Sequence, residues 1–208
     1  MAKSTHDWQP FEEKMRQRGY SRIAGVDEAG RGPLAGPVVA AAVILPSGTV
    51  FPGMRDSKKL SQHRREAMYT LITESAESWA VGIVSAEEID RTNIRTAVLK
   101  AMTLALQGLP QAADAVLVDG VDRVPFDGKV PDEQIAIVGG DDRALSVAAA
   151  SIIAKVTRDR MLLELDRVYP SYGFAKHKGY GTAAHIAALK EYGPCPQHRM
   201  SFLTRILP

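Results

Sequence analysis

Four acidic side chains follow apolar, strand-like segments of the chain, a placement that suits the binding of divalent metal ions. Asp27 and Glu28 follow the first such segment. Asp119 ends a second segment, and Asp141 comes one short loop after a third. In open α/β sheets, binding sites form at the carboxyl ends of the strands. The sequence therefore predicts that these carboxylates converge at one edge of a sheet.

Converging carboxylates need either a cation or shifted pKa values. Two ionised carboxylates about 4 Å apart repel by about 4 kcal/mol at an effective dielectric constant of about 20. Oxygen ligands without a neighbouring His or Cys favour Mg²⁺ or Mn²⁺. Two such ions, about 3.5–4 Å apart, can activate a water and stabilise the leaving oxygen in an in-line displacement, so the implied reaction is phosphoryl transfer. A series of turn residues and helix caps on separate strands is the alternative interpretation.

A glycine-rich turn, Gly30-Arg31-Gly32, follows the first carboxylate pair. It lacks the Lys-Ser/Thr ending of a P-loop and the glycine spacing of a Rossmann fingerprint, so we expect neither ATP nor NAD there. Its exposed N–H groups suit a sugar-phosphate backbone, where a 2′-hydroxyl distinguishes RNA from DNA. The apolar run before the turn predicts a strand over residues 22–26, and an end there would let the two acidic side chains share one ion.

Hydroxyl, cationic and aromatic side chains elsewhere in the chain are typical of surfaces that hold phosphates and stack sugars or bases. Ser151 and Lys155 are four residues apart and share one face of a predicted helix. Lys58 and Tyr180 lie in two further polar segments. A solvated surface is the alternative for each of them. Three histidines remain secondary candidates for general bases, because a metal-bound water needs none: His177, His185 and His198.

Composition limits the class of protein. The chain has 208 residues, 45% hydrophobic and 24% charged, which fits one folded domain. Its single cysteine excludes an internal disulfide framework, so we expect a cytoplasmic location. Residues 155–208 hold nine Lys or Arg against four Asp or Glu, which suits a polyanionic partner. Glycines and prolines interrupt the uncharged stretch 32–54, so we expect no membrane partner.

The apolar spacing predicts an α/β fold that would position these side chains. Ser61, Ser85 and Asn93 are predicted helix caps. Helices are predicted at residues 11–18, 61–78, after 85, at 93–108 and from 144 onward, and strands at 22–26, 37–45, 79–84, 115–118 and 135–138.

Several short motifs also occur together in this chain. They are Asp27-Glu28-Ala29-Gly30-Arg31-Gly32, Asp56-Ser57-Lys58, Leu117-Val118-Asp119-Gly120, Gly140-Asp141, Ala148-Ala149-Ala150-Ser151-Ile152-Ile153-Ala154-Lys155 and His177-Lys178-Gly179-Tyr180. Together they resemble the bacterial ribonuclease HII family, the type 2 ribonucleases H, over roughly residues 22–202. The resemblance implies a ribonuclease H-like mixed β-sheet flanked by helices, with its first three strands antiparallel. It implies a single catalytic domain over residues 1–208, with a small C-terminal helical part at about 170–208 that grips the substrate duplex.

The same resemblance implies an endoribonuclease. Such an enzyme hydrolyses RNA in RNA/DNA hybrids and cuts on the 5′ side of single ribonucleotides in duplex DNA, leaving 3′-hydroxyl and 5′-phosphate ends. It would use Mg²⁺ or Mn²⁺, as two ions during catalysis, and we expect it to be a monomer. A nuclease that cuts DNA junctions without needing a ribose, and a binder without catalysis, are the alternatives.

The resemblance also assigns roles to individual residues. Metal binding and catalysis are assigned to Asp27, Glu28, Asp119 and Asp141, where alignment backward from Ala148-Ala149-Ala150-Ser151 favours Asp141 over Asp142. Recognition of the 2′-hydroxyl is assigned to Gly30, Arg31 and Gly32, stacking near the sugar to Tyr180, and phosphate contacts to Lys58, Ser151 and Lys155.

Overall fold

Short apolar segments form one mixed five-stranded sheet in the computed structural model, which describes residue 8 and residues 10–54, 60–126 and 131–207. The strands are β1 (Ile23–Ala29), β2 (Val38–Ile44), β3 (Ser78–Val84), β4 (Ala115–Asp119) and β5 (Glu133–Ile137). Their order across the sheet is β3-β2-β1-β4-β5. The first three strands are antiparallel, whereas β4 and β5 run parallel to β1. This confirms the predicted mixed sheet.

Helices flank the sheet and begin at the predicted caps. The side chains of Ser61, Ser85 and Asn93 each accept the backbone N–H three residues further on, as an N-cap does. The helices are α1 (Phe11–Gln17), α2 (Gln62–Ser75), α3 (Ala86–Arg91), α4 (Ile94–Gln107), α5 (Leu145–Val168), α6 (Phe174–His177), α7 (Ala183–Tyr192) and α8 (Met200–Leu203). None of the helices described is long and apolar enough to cross a membrane.

An apolar core covers each face of the sheet, so every residue of β2 is buried. One face packs against α4 and the other against α5. Glycines allow both helices to approach closely. A Cβ at Gly82 would lie 2.0 Å from the Ala101 carbonyl oxygen in α4. A Cβ at Gly25 would lie 2.1 Å from the Ser146 carbonyl carbon in α5.

The strand that carries the first carboxylate pair is longer than predicted. The expected end of β1 at Val26 is wrong, because its antiparallel pairing with β2 continues through Asp27, Glu28 and Ala29. The parallel pairing of β1 with β4 does end at Val26. Both acidic residues therefore remain in a strand, at the point where the neighbouring strand on one side stops.

The C-terminal residues form short helices that pack on the loop between β1 and β2. Phe174, Leu189 and Leu203 are buried in one apolar cluster with Leu34 and Leu162. The Leu34 N–H donates to the Gly179 carbonyl at 2.8 Å, so main-chain bonds also join the two regions. The substrate-gripping role of this helical part stays a prediction.

Candidate active site

The carboxyl ends of three strands bring the predicted acidic residues to one edge of the sheet. Asp27 lies near the end of β1 and is only 6% exposed. Asp119 is the last residue of β4, and Asp141 lies in the 3₁₀-helix Gly140–Asp142 that follows β5. A pocket of about 270 Å³ opens at this edge. It is lined by Asp27, Glu28, Ala29, Gly30, Arg31, Gly32, Asp119, Ser151, Lys155, Arg158 and Tyr180.

The pKa of Asp27 shows that the other three carboxylates lie within electrostatic reach of it. Burial raises the pKa of Asp27 well above its ordinary value, and the charges of Glu28, Asp119 and Asp141 raise it further. The hydrogen bond from the Glu28 N–H to Asp27 Oδ1, at 2.6 Å, acts in the opposite direction and lowers this pKa. A cation at this edge would relieve the repulsion that the neighbouring carboxylates impose.

The two consecutive acidic residues after β5 occupy different environments. Asp141 is only 5% exposed, and its charge raises the pKa of Asp27. Asp142 is exposed. The geometry therefore supports Asp141 as the fourth carboxylate, and its role remains a prediction.

Several carboxylate oxygens contact protein donors. Asp119 Oδ1 accepts from the Gly140 N–H at 2.7 Å, and Arg31 pairs with Glu28 at 3.2 Å. In this arrangement, no group of three or more His, Cys, Asp and Glu side chains within the described residues could hold a metal ion. The carboxylates at this edge of the sheet would have to rotate to share one metal ion. The donor chemistry nevertheless fits a hard divalent cation, since the converging groups offer only oxygen.

The glycine-rich turn lies directly beside these carboxylates. Gly30 has a φ of +102°, and a Cβ there would lie 2.3 Å from Nε of the buried Arg158, so only glycine fits. A Cβ at Gly32 would meet the Tyr180 ring at 3.8 Å. The turn and Tyr180, which is 46% exposed, are therefore adjacent walls of the pocket.

Helix α5 supplies a hydroxyl and a cation to the lining of the pocket. Ser151 is 5% exposed, and Lys155 Nζ donates to Asp159 Oδ1 at 2.7 Å. Both Ser151 and Lys155 line the pocket, one helical turn apart as their spacing predicted. Lys58 lies outside the described residues.

Two buried arginines behind the turn were not among the predicted site residues. Arg158 is 1% exposed and Arg199 is 0% exposed. Arg158 donates to the backbone carbonyls of Ala35, Pro37 and Lys178 at 2.9–3.0 Å. The helical spacing does place Arg158 or Asp159 on one polar face with Ser151 and Lys155, but it assigns no role to Arg158. Nothing in the sequence pattern indicated Arg199.

The three histidines are not placed for general-base catalysis. The lining of the pocket, within the described part of the chain, includes none of them. His185 and His198 are buried, with their Nε2 atoms 3.0 Å apart. His198 Nδ1 accepts from the Cys195 N–H, and His185 Nδ1 contacts the Tyr180 carbonyl at 2.9 Å. Each of these two buried rings thus uses both nitrogens inside the fold.

Comparison with known proteins decides the family. Residues 24–205 match the sequence profile described as Ribonuclease HII. Ribonuclease HII of Geobacter sulfurreducens is 54% identical over 201 residues, which cover 95% of this chain and 91% of that relative. The chain belongs to the ribonuclease HII family. It is therefore a nuclease with ribonuclease H activity on RNA/DNA hybrids, and metal dependence is general for ribonuclease HII.

Solved structures share the ribonuclease HII architecture. Ribonuclease H2 from Pyrococcus horikoshii superposes with a TM-score of 0.74 at 28% identity, covering 89% of this chain and 96% of that one. The structure of Bst-RNase HIII in complex with Mn²⁺ gives a TM-score of 0.63 at 20% identity, covering 98% of this chain and 71% of that one. The second likeness is evidence for the fold alone.

Proposed function

We propose that this ribonuclease HII hydrolyses the RNA strand of RNA/DNA hybrids and cuts on the 5′ side of single ribonucleotides embedded in duplex DNA. The products would carry 3′-hydroxyl and 5′-phosphate ends, so the enzyme would begin the removal of ribonucleotides from DNA. The supporting observation is the convergence of three carboxylates on the buried Asp27, beside a glycine-rich turn and an exposed tyrosine.

The carboxylates of Asp27, Glu28, Asp119 and Asp141 would hold two Mg²⁺ or Mn²⁺ ions in this proposal. When bound, the ions would supply an activated water and stabilise the leaving oxygen, which explains why no protein nucleophile is needed. Among proteins of the same fold, Bst-RNase HIII has been solved in complex with Mn²⁺.

The remaining walls of the pocket would bind the substrate strand. The turn of Gly30, Arg31 and Gly32 would face the ribose 2′-hydroxyl, with Tyr180 stacked against the sugar. Ser151 and Lys155 would contact phosphates from α5. Lys58, outside the described residues, is proposed for the same role.

Cleavage of a labelled DNA duplex with one ribonucleotide tests this function. The assay compares that duplex, an RNA/DNA hybrid and an all-DNA duplex, each with Mg²⁺, Mn²⁺ or EDTA, and runs Asp27→Asn in parallel. We expect a metal-dependent cut 5′ to the ribonucleotide, with 3′-hydroxyl and 5′-phosphate ends, that is lost in Asp27→Asn.

The other outcomes separate the competing functions. An all-DNA junction serves as a further substrate, and its cleavage without a ribose would indicate a junction nuclease. Duplex binding without cleavage in any metal would indicate a binding protein with structural carboxylates. The monomeric state and the cytoplasmic location also stay predictions, and light scattering of the purified protein tests the first.

A further inference from the structure

A buried guanidinium lies directly behind the glycine-rich turn. Arg199 is fully buried, and the hydrogen bonds of its side chain, within the described residues, go to backbone carbonyls alone. Its Nη2 donates to Gly30 O at 2.7 Å and its Nη1 to Arg31 O at 3.1 Å. Its Nε and Nη2 both donate to Gly36 O, at 3.0 and 2.8 Å. One planar side chain therefore connects both ends of the loop.

These bonds fix the direction of the two peptide groups in the turn. In a trans peptide, the C=O of one residue and the N–H of the next point in opposite directions. The described residues contain no cis peptide bond. The carbonyls of Gly30 and Arg31 point inward to Arg199, so the N–H groups of Arg31 and Gly32 must point away from it.

The side away from Arg199 is the pocket. Gly30, Arg31 and Gly32 all line the pocket, whereas the buried Arg199 does not. Neither the Arg31 N–H nor the Gly32 N–H donates to another group among the described residues. By contrast, the Leu34 N–H is bonded to Gly179 O at 2.8 Å. The turn thus presents two adjacent N–H donors to whatever lies in the pocket.

We propose that Arg199 is a positioning residue that aims the Arg31 and Gly32 N–H groups at the ribose of the substrate. The proposal rests on the function proposed above. Arg158 acts on other parts of the loop, since it holds the carbonyls of Ala35 and Pro37. Lysine could not replace Arg199, because one ammonium nitrogen cannot reproduce the planar fork that spans these carbonyls.

A kinetic comparison of Arg199→Lys with the wild type tests the role. Single-turnover cleavage of the one-ribonucleotide duplex gives the enzyme concentration at half-maximal rate. Competition by an unlabelled all-DNA duplex gives an inhibition constant that does not involve a ribose. We expect the enzyme concentration at half-maximal rate to rise at least tenfold in Arg199→Lys. The inhibition constant of the all-DNA duplex should change less than twofold. The exposed Arg205 offers a matched control, and Arg205→Lys should leave both values within twofold.

The outcomes are distinct. An equal rise in both values, or no change in either, would overturn the role of Arg199, as would the same selective loss in Arg205→Lys. Absence of cleavage by the wild type would instead refute the proposed function.

A measurement on the wild type alone covers the case in which Arg199→Lys does not fold. Residue-resolved amide hydrogen exchange should show the Arg31 and Gly32 amides exchanging at least tenfold faster than the hydrogen-bonded amides of Leu34 and Gly36. Equal protection of all four amides would mean that the two N–H groups do not face the pocket.

Discussion

Asp27 occupies a site where its ionised form is costly in the absence of a cation. Burial and the neighbouring carboxylates raise the pKa of Asp27, so this charge lowers the stability of the metal-free protein. We expect Asp27→Asn to raise the free energy of unfolding by about 1–2 kcal/mol in EDTA while abolishing cleavage. Urea denaturation measures the first effect. The exposed Asp142 supplies the control, because Asp142→Asn should change stability by less than about 0.5 kcal/mol. A loss of stability in Asp27→Asn would contradict this account.

The neighbouring pair Asp141 and Asp142 allows the fourth carboxylate to be assigned by experiment. Asp141 is buried within electrostatic reach of Asp27, whereas Asp142 is exposed. We expect Asp141→Asn to reduce the Mg²⁺-dependent cleavage rate by about 100-fold or more, as loss of a transition-state contact does. Asp142→Asn should remain within about threefold of the wild type. The reverse pattern would reassign the fourth carboxylate to Asp142.

At the scale of elements, β1 and α5 position the two walls of the pocket through a close backbone contact. A Cβ at Gly25 would lie 2.1 Å from the backbone of Ser146. We therefore expect Gly25→Ala to lower the free energy of unfolding by about 3 kcal/mol or more and to reduce cleavage, because β1 carries Asp27. Urea denaturation and the cleavage assay measure the two effects.

Gly48 provides the comparison for Gly25. It has a φ of +75°, and no atom lies within 4 Å of the position that a Cβ would take there. Gly48→Ala should therefore cost only about 1 kcal/mol, from the strained backbone. Equal losses in the two variants would show that the contact between β1 and α5 can adjust without cost.

Local sequence patterns predicted most of the helices and strands. Pairing with distant strands determined where several strands begin and end. The caps at Ser85 and Asn93 depend on residues three positions away, so the pattern alone found them. The extension of β1 to Ala29 depends on pairing with β2, which no local pattern reports. Similarly, β5 begins at Glu133 rather than at the predicted residue 135, because it pairs with β4 from Ala115 onward.

The residues of the candidate site were likewise predictable only where a local pattern indicated them. Residue type and strand ends indicated Asp27 and Asp119, and helical spacing indicated Ser151 and Lys155. Arg199 could not be found this way, because its partners lie 163–169 residues earlier in the chain. A buried arginine that binds carbonyls leaves no periodic pattern in the sequence.

At the scale of the whole molecule, two neutral imidazoles connect α7 to the segment that leads into α8, inside the C-terminal region. The Cys195 N–H donates to His198 Nδ1, so the proton of the neutral ring lies on Nε2 and faces His185. Burial and the neighbouring His185 lower the pKa of His198 to about 4. The unfolded chain, with a histidine pKa of about 6.5, therefore binds more protons than the folded protein in this range.

The free energy of unfolding should consequently fall as the pH drops from about 6.5 towards 4. The contribution of His198 is at most about 1.4 kcal/mol per pH unit. His198→Asn, which keeps an acceptor for the Cys195 N–H, should make this slope shallower. The exposed His63 is the control, and His63→Gln should leave the slope unchanged. Urea denaturation at several pH values measures it, and identical slopes for all three proteins would rule out His198 as the source.

The bonds from Arg199 to the glycine-rich turn also bear on when the enzyme becomes competent during its synthesis. The turn leaves the ribosome 169 residues before the side chain that holds it. At about 5–20 residues per second, that interval lasts about 10–30 s. β1 and β2 lie close in the sequence and are available to pair during this time, but the Gly30 and Arg31 carbonyls lack the guanidinium of Arg199. With the proposed role of Arg199, the nascent chain would pass through a period, after synthesis of Asp141 and before that of Arg199, in which all four carboxylates are present and the Arg31 and Gly32 amides are not yet fixed. Selectivity for the ribose would then be acquired after the carboxylates.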